Sequence, residues 1–136
     1  MIVLDTNVIS EAMRGPDADA RVQAWLAALP TVPVTTVMNR AEVLAGLALL
    51  PPGRRRERLE RAATQAFSGL GVVVPFTEEA AAHYGEIVAR RTRAGRPIGA
   101  LDALIAAICL TVGATLATRD TADFAGLGLD LVNPWE

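Results

Sequence analysis

Short apolar runs alternate with longer stretches of helical periodicity along almost the whole chain, and this alternation restricts the fold more than any other feature. Ile2, Val3 and Leu4 begin it, so residues 2–5 are predicted as a strand and 7–14 as a helix closed by "RGPD". "DADARVQAWLAAL" puts Val22, Trp25, Leu26 and Leu29 at helical spacing. "PVTTV" (33–37) is a β-branched strand candidate. "NRAEVLAGLALL" places Val43, Leu44, Leu47 and Leu50 on one helical face, and "PPG" stops it. Further on, a charged helix is expected from about Arg54 to Phe67, and a buried strand in "GVVVP". A helix opens at Thr77 with acidic residues in its first turn. A strongly apolar helix in "RPIGALDALIAAICLTV" and strands in "ATLAT" and "LDLVNPW" complete the pattern.

Strands apolar on both faces, separated by helices, imply a parallel sheet covered on both sides. The chain of 136 residues suits one such domain over 1–136. The predicted fold class is α/β: a three-layer α/β/α sandwich with a mostly parallel central sheet of about five strands. In sheets of this kind ligands bind beyond the carboxyl ends of the strands, near the point where strand order reverses.

Composition narrows the chemistry. All 13 basic residues are Arg, and Lys is absent. There is thus no P-loop Lys, no Schiff-base Lys and no Lys to complete a phosphoryl-transfer site of the receiver or haloacid-dehalogenase type. One histidine, His83, and one cysteine, Cys109, cannot make a structural zinc site or an internal disulfide. His83 reads as an ordinary helix residue and Cys109 as part of an apolar face. The four-residue apolar start is too short for a signal peptide, and Asp102 interrupts the longest apolar stretch, so a cytoplasmic protein without a membrane span is expected.

What remains is carboxylates, hydroxyls and Arg. Asp5 ends the first apolar run, Glu42 sits among Ala41, Val43, Leu44 and Ala45, and Asp102 is the only charged residue between Arg96 and Arg119. Asp120 follows "ATLAT" and Arg119, with Asp123 three residues on. Each has an ordinary reading. Asp5 or Asp120 alone could cap a helix, Glu42 could lie exposed on one, and Asp102 could pair with Arg96 or Arg119. Taken together, acids at buried positions are rare unless paired or bound to metal. All-oxygen donors with room for water suit Mg²⁺ or Mn²⁺. A metal site able to activate water against phosphorus is the reading that accounts for all of them.

The same residues carry a resemblance. "MIVLDTNVISE", "RAEVLAGLALLPPGRRR", "RTRAGRPIGALDALIAAI", "GATLATRDTADF" and "GLDLVNPW", in this order, resemble the PIN-domain ribonucleases, specifically the VapC-type toxins of bacterial toxin–antitoxin pairs and their FitB-like subgroup. The resemblance implies that Asp5, Glu42, Asp102 and Asp120 bind metal and serve catalysis, with Asp123 as an alternative to Asp120. It implies supporting hydroxyls at Thr6 and Thr118. Asn39 stands where many relatives carry Thr or Ser, and Asn also caps helices. The family reading further implies a Mg²⁺-dependent endoribonuclease (Mn²⁺ as substitute) cutting single-stranded regions of RNA, a cognate antitoxin that inserts a segment near the acids, and a homodimer. The alternative is a non-catalytic PIN-fold module that binds RNA or antitoxin.

Two arginine groups are candidates for RNA phosphate contact or for docking an acidic antitoxin segment. Arg54, Arg58 and Arg61 share a helix face diluted by Glu57 and Glu60, and pairs such as Glu57 to Arg61 make it read as a solvated surface. Arg90, Arg91, Arg93 and Arg96 directly precede the helix of Asp102 and are the preferred RNA candidates; the ordinary reading is again a solvated face, with a pair such as Glu86 to Arg90.

Overall fold

Ile2–Leu4 forms the central strand, β1, in a computed structural model that describes residues 1–136. The remaining elements are α1 (Thr6–Ala12), α2 (Ala20–Ala27), β2 (Thr35–Thr36), α3 (Val37–Ala48), α4 (Arg54–Ser68), β3 (Val73–Val74), α5 (Glu78–Arg93), α6 (Ala100–Val112), β4 (Thr115–Ala117) and β5 (Asp130–Val132). Single 3-10 turns occupy Gly15–Asp17 and Thr121–Phe124. Every expected helix and strand is present, but the strands are shorter than their apolar runs. "PVTTV" yields only two strand residues. The Thr36 hydroxyl accepts from the Asn39 N–H at 3.2 Å and starts α3 at Val37.

The pairing is parallel throughout. β1 pairs with β4 (Ile2 opposite Thr115, Leu4 opposite Ala117), and β4 pairs with β5. β2 and β3 form a separate two-stranded unit. A bridge between Val3 and Val34 joins the two, with Leu4 N–H to Val34 C=O at 2.8 Å and Val34 N–H to Ile2 C=O at 2.9 Å. The five strands therefore run β3–β2–β1–β4–β5, three fully paired on one side and two on the other. Strand order reverses between β1 and β4, so the carboxyl ends of those strands border the natural binding crevice.

Alternation along the central strands divides the core in two. Val3 and Leu116 face one cluster, which holds Ala80 and Ile87 of α5 and Ala103, Ile105, Ala106, Ala107, Ile108 and Cys109 of α6. Leu4 and Ala117 face the other, with Val8 and Ile9 of α1, Val22 of α2, Val43 of α3 and Ala63 of α4. The sheet is thus covered on both faces, as the sequence predicts. Small residues on α6 let α5 pack closely along it, and Ile108 is fully buried in the cluster that also holds Ala80 and Ile87 of α5. Truncating it to Ala would cost about 2–5 kcal/mol through lost burial and a cavity. Gly113, at φ +64°, ends α6 in the left-handed conformation that glycine adopts without strain and turns the chain into β4. No helix is long and apolar enough to cross a membrane.

Candidate active site

The acid that ends β1 is also the cap of α1. Asp5 is extended (ψ 162°), and its Oδ1 accepts from the Thr6 N–H at 2.9 Å. The helix-cap reading is therefore correct, and it does not exhaust the residue. Asn39 Nδ2 donates to the same oxygen at 3.0 Å, and the Thr118 hydroxyl donates to Oδ2 at 2.7 Å. Three of about four acceptor sites of the carboxylate are thus occupied by protein donors. The fourth is free to face the pocket.

Each of those donors is itself held. Asn39 is fully buried on the first turn of α3, where its Oδ1 accepts from the Thr36 hydroxyl at 2.7 Å. Its amide also donates to the Thr6 hydroxyl at 3.0 Å, and that hydroxyl donates to Glu42 Oε1. Thr118, fully buried at the end of β4, accepts from the Asp120 N–H at 3.1 Å and from Asn7 Nδ2 at 3.3 Å. Asn7 Nδ2 also reaches Asp120 Oδ2 at 3.2 Å, while Asn7 Oδ1 accepts from the Arg119 N–H at 3.2 Å. One lattice of hydrogen bonds thus links Asp5, Thr6, Asn7, Asn39, Glu42, Thr118 and Asp120. No buried polar side-chain atom is left without a partner.

Asp102 enters from the opposite side, on the first turn of α6. Asp5, Glu42, Asp102 and Asp120 line one pocket of about 440 Å³ together with Thr6, Asn7, Ser10, Glu11, Arg14, Arg119 and Trp135. The Asp102 carboxyl is pushed up to about 6, first by burial and then by the charges of Asp5, Asp123, Glu42 and Asp120. None of the molecule's three ion pairs involves it, which removes pairing with Arg96 or Arg119 as its explanation. Those pairs are Arg14–Glu11, Arg21–Asp19 and Arg56–Glu60, so the pairs expected between Glu57 and Arg61 and between Glu86 and Arg90 are not formed.

The chemistry of the donor set suits a hard divalent cation: five carboxylates, one of them Glu11 paired with Arg14, share a pocket with the hydroxyls of Thr6 and Ser10 and without Lys, His or Cys. They do not make a closed cage, since no three acid, His or Cys side chains are gathered tightly enough to enclose an ion. Between the two candidates for the last acid, Asp120 lines the pocket and Asp123 does not. Asp123 adds its charge to the field at Asp102.

The second arginine group departs from expectation. Arg91 is 7% exposed, and its Nη2 donates to the carbonyls of Asp123 and Ala125 at 2.7 and 2.9 Å. It clamps the loop after β4 and is not available to RNA. Arg90 and Arg93 line a separate shallow hollow on α5 that shares no residue with the acidic pocket, and Arg96 is exposed in the α5–α6 connection. From the first group, Arg58 lines a hollow of about 960 Å³ between α1, α3 and α4. That hollow adjoins the acidic pocket, sharing Thr6, Ser10, Arg14 and Glu42 with it.

Asn7, Ser10, Glu11, Arg14, Arg119 and Trp135 line the pocket and were not singled out as site residues by sequence reasoning. Asn7 stands two residues from Asp5 and could have been found from that spacing, but nothing local marks Trp135, which the fold brings to the pocket from the end of the chain. Cys109 is buried on the apolar face of α6, as expected, and burial chiefly pushes its thiol up to about 12.

Comparison with known proteins places this geometry in a family. The PIN-domain model matches residues 2–128. The chain is 41% identical to the VapC ribonuclease Y4jK of Sinorhizobium fredii, covering all of this chain and 99% of that one. It is 40% identical to toxin FitB of Neisseria gonorrhoeae over 99% of both chains. Among solved structures, FitAcB from Neisseria gonorrhoeae superposes with a TM-score of 0.84 at 39% identity, covering 100% of this chain and 99% of that one. A shared fold, full-length coverage and identity near 40% lead to one statement: the chain belongs to the PIN-domain family, among the relatives of VapC and FitB.

Proposed function

We propose that this protein is a metal-dependent endoribonuclease that acts as the toxin of a toxin–antitoxin pair. The observation that carries the reading is the pocket shared by Asp5, Glu42, Asp102 and Asp120, in which no carboxylate of the four is paired with a cation of the protein. Full-length similarity to a VapC ribonuclease and to the toxin FitB supports both the activity and the biological class.

Asp5, Glu42, Asp102 and Asp120 would hold Mg²⁺, or Mn²⁺ in its place. Bound there, such an ion supplies Lewis acidity, which lowers the pKa of water and offsets negative charge at phosphorus. The chain's own residues do the rest. Asn39, Thr6 N–H and Thr118 fix the Asp5 carboxylate in one orientation, and the Thr6 hydroxyl does the same for Glu42. Asn7 ties Asp120 to the end of β4. Orientation of ligands by a surrounding layer of hydrogen bonds is worth about 10–100-fold in metal affinity or activity. The substrate is single-stranded RNA, the antitoxin segment docks in the adjoining hollow lined by Arg58, and the working unit is a homodimer.

The test is incubation of the purified protein with structured RNAs in Mg²⁺, Mn²⁺ or EDTA. Cleavage in single-stranded regions should require the metal, stop with EDTA, and vanish in Asp102→Asn. Cleavage that persists in Asp102→Asn and in EDTA would come from a contaminant. Metal-dependent RNA binding without any cleavage would assign the chain to the non-catalytic alternative.

A further inference from the structure

Two arginines line the acidic pocket, and only one of them is committed to a carboxylate. Arg14 Nη1 lies 2.9 Å from Glu11 Oε2. Arg119 forms no ion pair, although Asp120 follows it in the chain and Asp5, Glu42 and Asp102 share its pocket. Its guanidinium carbon instead stands 5.0 Å from the centroid of the Trp135 ring. Trp135 is 5% exposed and packs in the cluster of Leu4, Val8 and Ala117, so the ring is a fixed support. The Arg119 backbone is fixed as well, by its N–H to Asn7 Oδ1. An exposed, unpaired cation is thus held in place at the rim of a pocket lined by acids.

We propose that Arg119 binds a backbone phosphate of the RNA flanking the bond to be cut, with Trp135 as the positioning residue beneath it. This rests on the reading of the pocket as a ribonuclease site. RNA is a polyanion, and the acids that would hold a metal repel every phosphate the metal does not itself offset. A cation of the protein beside the pocket removes part of that repulsion. Guanidinium is the suited group, because its planar fork matches two phosphate oxygens at once. A guanidinium held over the ring keeps its N–H donors, none of which has a partner in the protein, free for the phosphate, and the contact restricts the side chain before RNA arrives. Arg14, already bonded to Glu11, offers less, and Arg91 offers nothing because its donors are spent on two carbonyls.

The experiment is a titration of labelled single-stranded RNA at several salt concentrations, in Mg²⁺, with Asp102→Asn present to prevent cleavage. Adding Arg119→Gln should weaken binding about tenfold. The slope of log affinity against log salt should flatten by about 0.7, the value for one phosphate contact on a single strand. Arg119→Lys should restore the slope and only part of the affinity, because charge returns without the fork or the stack. In the cleaving protein, Arg119→Gln should raise KM and leave kcat within about twofold, the pattern of lost substrate binding. Trp135→Phe should keep the slope with a smaller rise in KM. An unchanged slope in Arg119→Gln, or a fall in kcat at constant KM, would overturn the assignment. If no RNA is cut but the slope still depends on Arg119, the nuclease reading fails, and of this inference only the phosphate contact stands, not its place beside a scissile bond. If RNA does not bind at all, both fail.

Discussion

Asp5 and Asp102 face one pocket from the starts of two helices, α1 and α6, and the protein surrounds them differently. Asp5 is the more buried, yet it receives hydrogen bonds from Thr6, Asn39 and Thr118 and caps its helix. Asp102 receives none, its helix is capped by Gly99 without a side-chain bond, and burial first, then four other carboxylates, raise its pKa. The first acid is part of the framework that joins α1, α3 and β4. The second is an uncompensated charge in a partly desolvated place, and it persists only if something outside the chain offsets it. Function and stability therefore coincide at Asp5 and oppose each other at Asp102.

The largest effect expected is on cleavage, where the two acids should behave alike. Asp5→Ala and Asp102→Ala should each reduce RNA cleavage by more than about a hundredfold, beyond the loss typical of a residue that only orients a metal ligand. Growth arrest on expression of the chain alone should be relieved by both. If either variant cleaved RNA at near the original rate, the four acids would not form one site.

Thermal unfolding in EDTA should separate them. Asp5→Ala leaves the Asn39 amide and the Thr118 hydroxyl without their acceptor and removes the cap of α1. A loss of about 1–3 kcal/mol is expected. Asp102→Asn removes like-charge repulsion and should raise Tm in the absence of metal. Addition of Mg²⁺ should then raise the Tm of the original chain by mass action and leave that of Asp102→Asn nearly unmoved. A fall in Tm for both variants in EDTA would mean that Asp102 is held by contacts equivalent to those of Asp5.

The contrast also has a pH signature. With its pKa raised from 3.8 to about 6, the Asp102 carboxyl binds its proton more tightly in the folded chain than in the unfolded one. Relative to the charged state at neutral pH, protonation therefore stabilises the fold, fully below pH 3.8 and not at all above about 6. Metal-free protein should lose this contribution as pH rises through that window, and Asp102→Asn should flatten that segment of the stability curve. Tm measured from pH 4 to 7 in EDTA checks the sign. A rise in stability across the window that persists in Asp102→Asn belongs to other carboxylates. A rise that disappears in the variant would refute the assignment.

Much of this was legible from residue order alone. Apolar runs and capping residues located every helix and strand, because burial of a parallel sheet on both faces leaves a strong periodic trace. Asp5, Glu42 and Asp102 stood out for the same reason, each breaking an apolar pattern, while Asp120 was marked only by its place just after a strand. Strand lengths were less legible, since Thr36 is both β-branched and a helix cap, and only the Asn39 N–H at 3.2 Å decides between them. What sequence could not supply was which side chains meet across the sheet. Asn7, Arg119 and Trp135 lie far apart in the chain and are joined through the pairing of β1 with β4. Arg91 shows the converse. Its neighbours in sequence make it one of a basic run, while the fold turns it inward onto the carbonyls of Asp123 and Ala125.

The smallest effect expected belongs to the rest of that run, and it is informative for being small. Arg90 and Arg93 lie on the exposed face of α5, lining a hollow that shares no residue with the acidic pocket. Arg90 makes one long contact, 3.5 Å to the Gly126 carbonyl, and neither residue forms an ion pair. Neutralising both, as Arg90→Gln with Arg93→Gln, should alter stability by no more than about 0.5 kcal/mol, as for other exposed positions. RNA affinity should fall slightly through the weaker long-range field, and the salt slope should change by much less than the 0.7 expected of one direct contact. The same titration that tests Arg119 measures this. A slope that flattens by about 0.7 or more would show that the strand crosses α5 on its way to the acids, and the basic run would then be a contact surface away from the pocket rim.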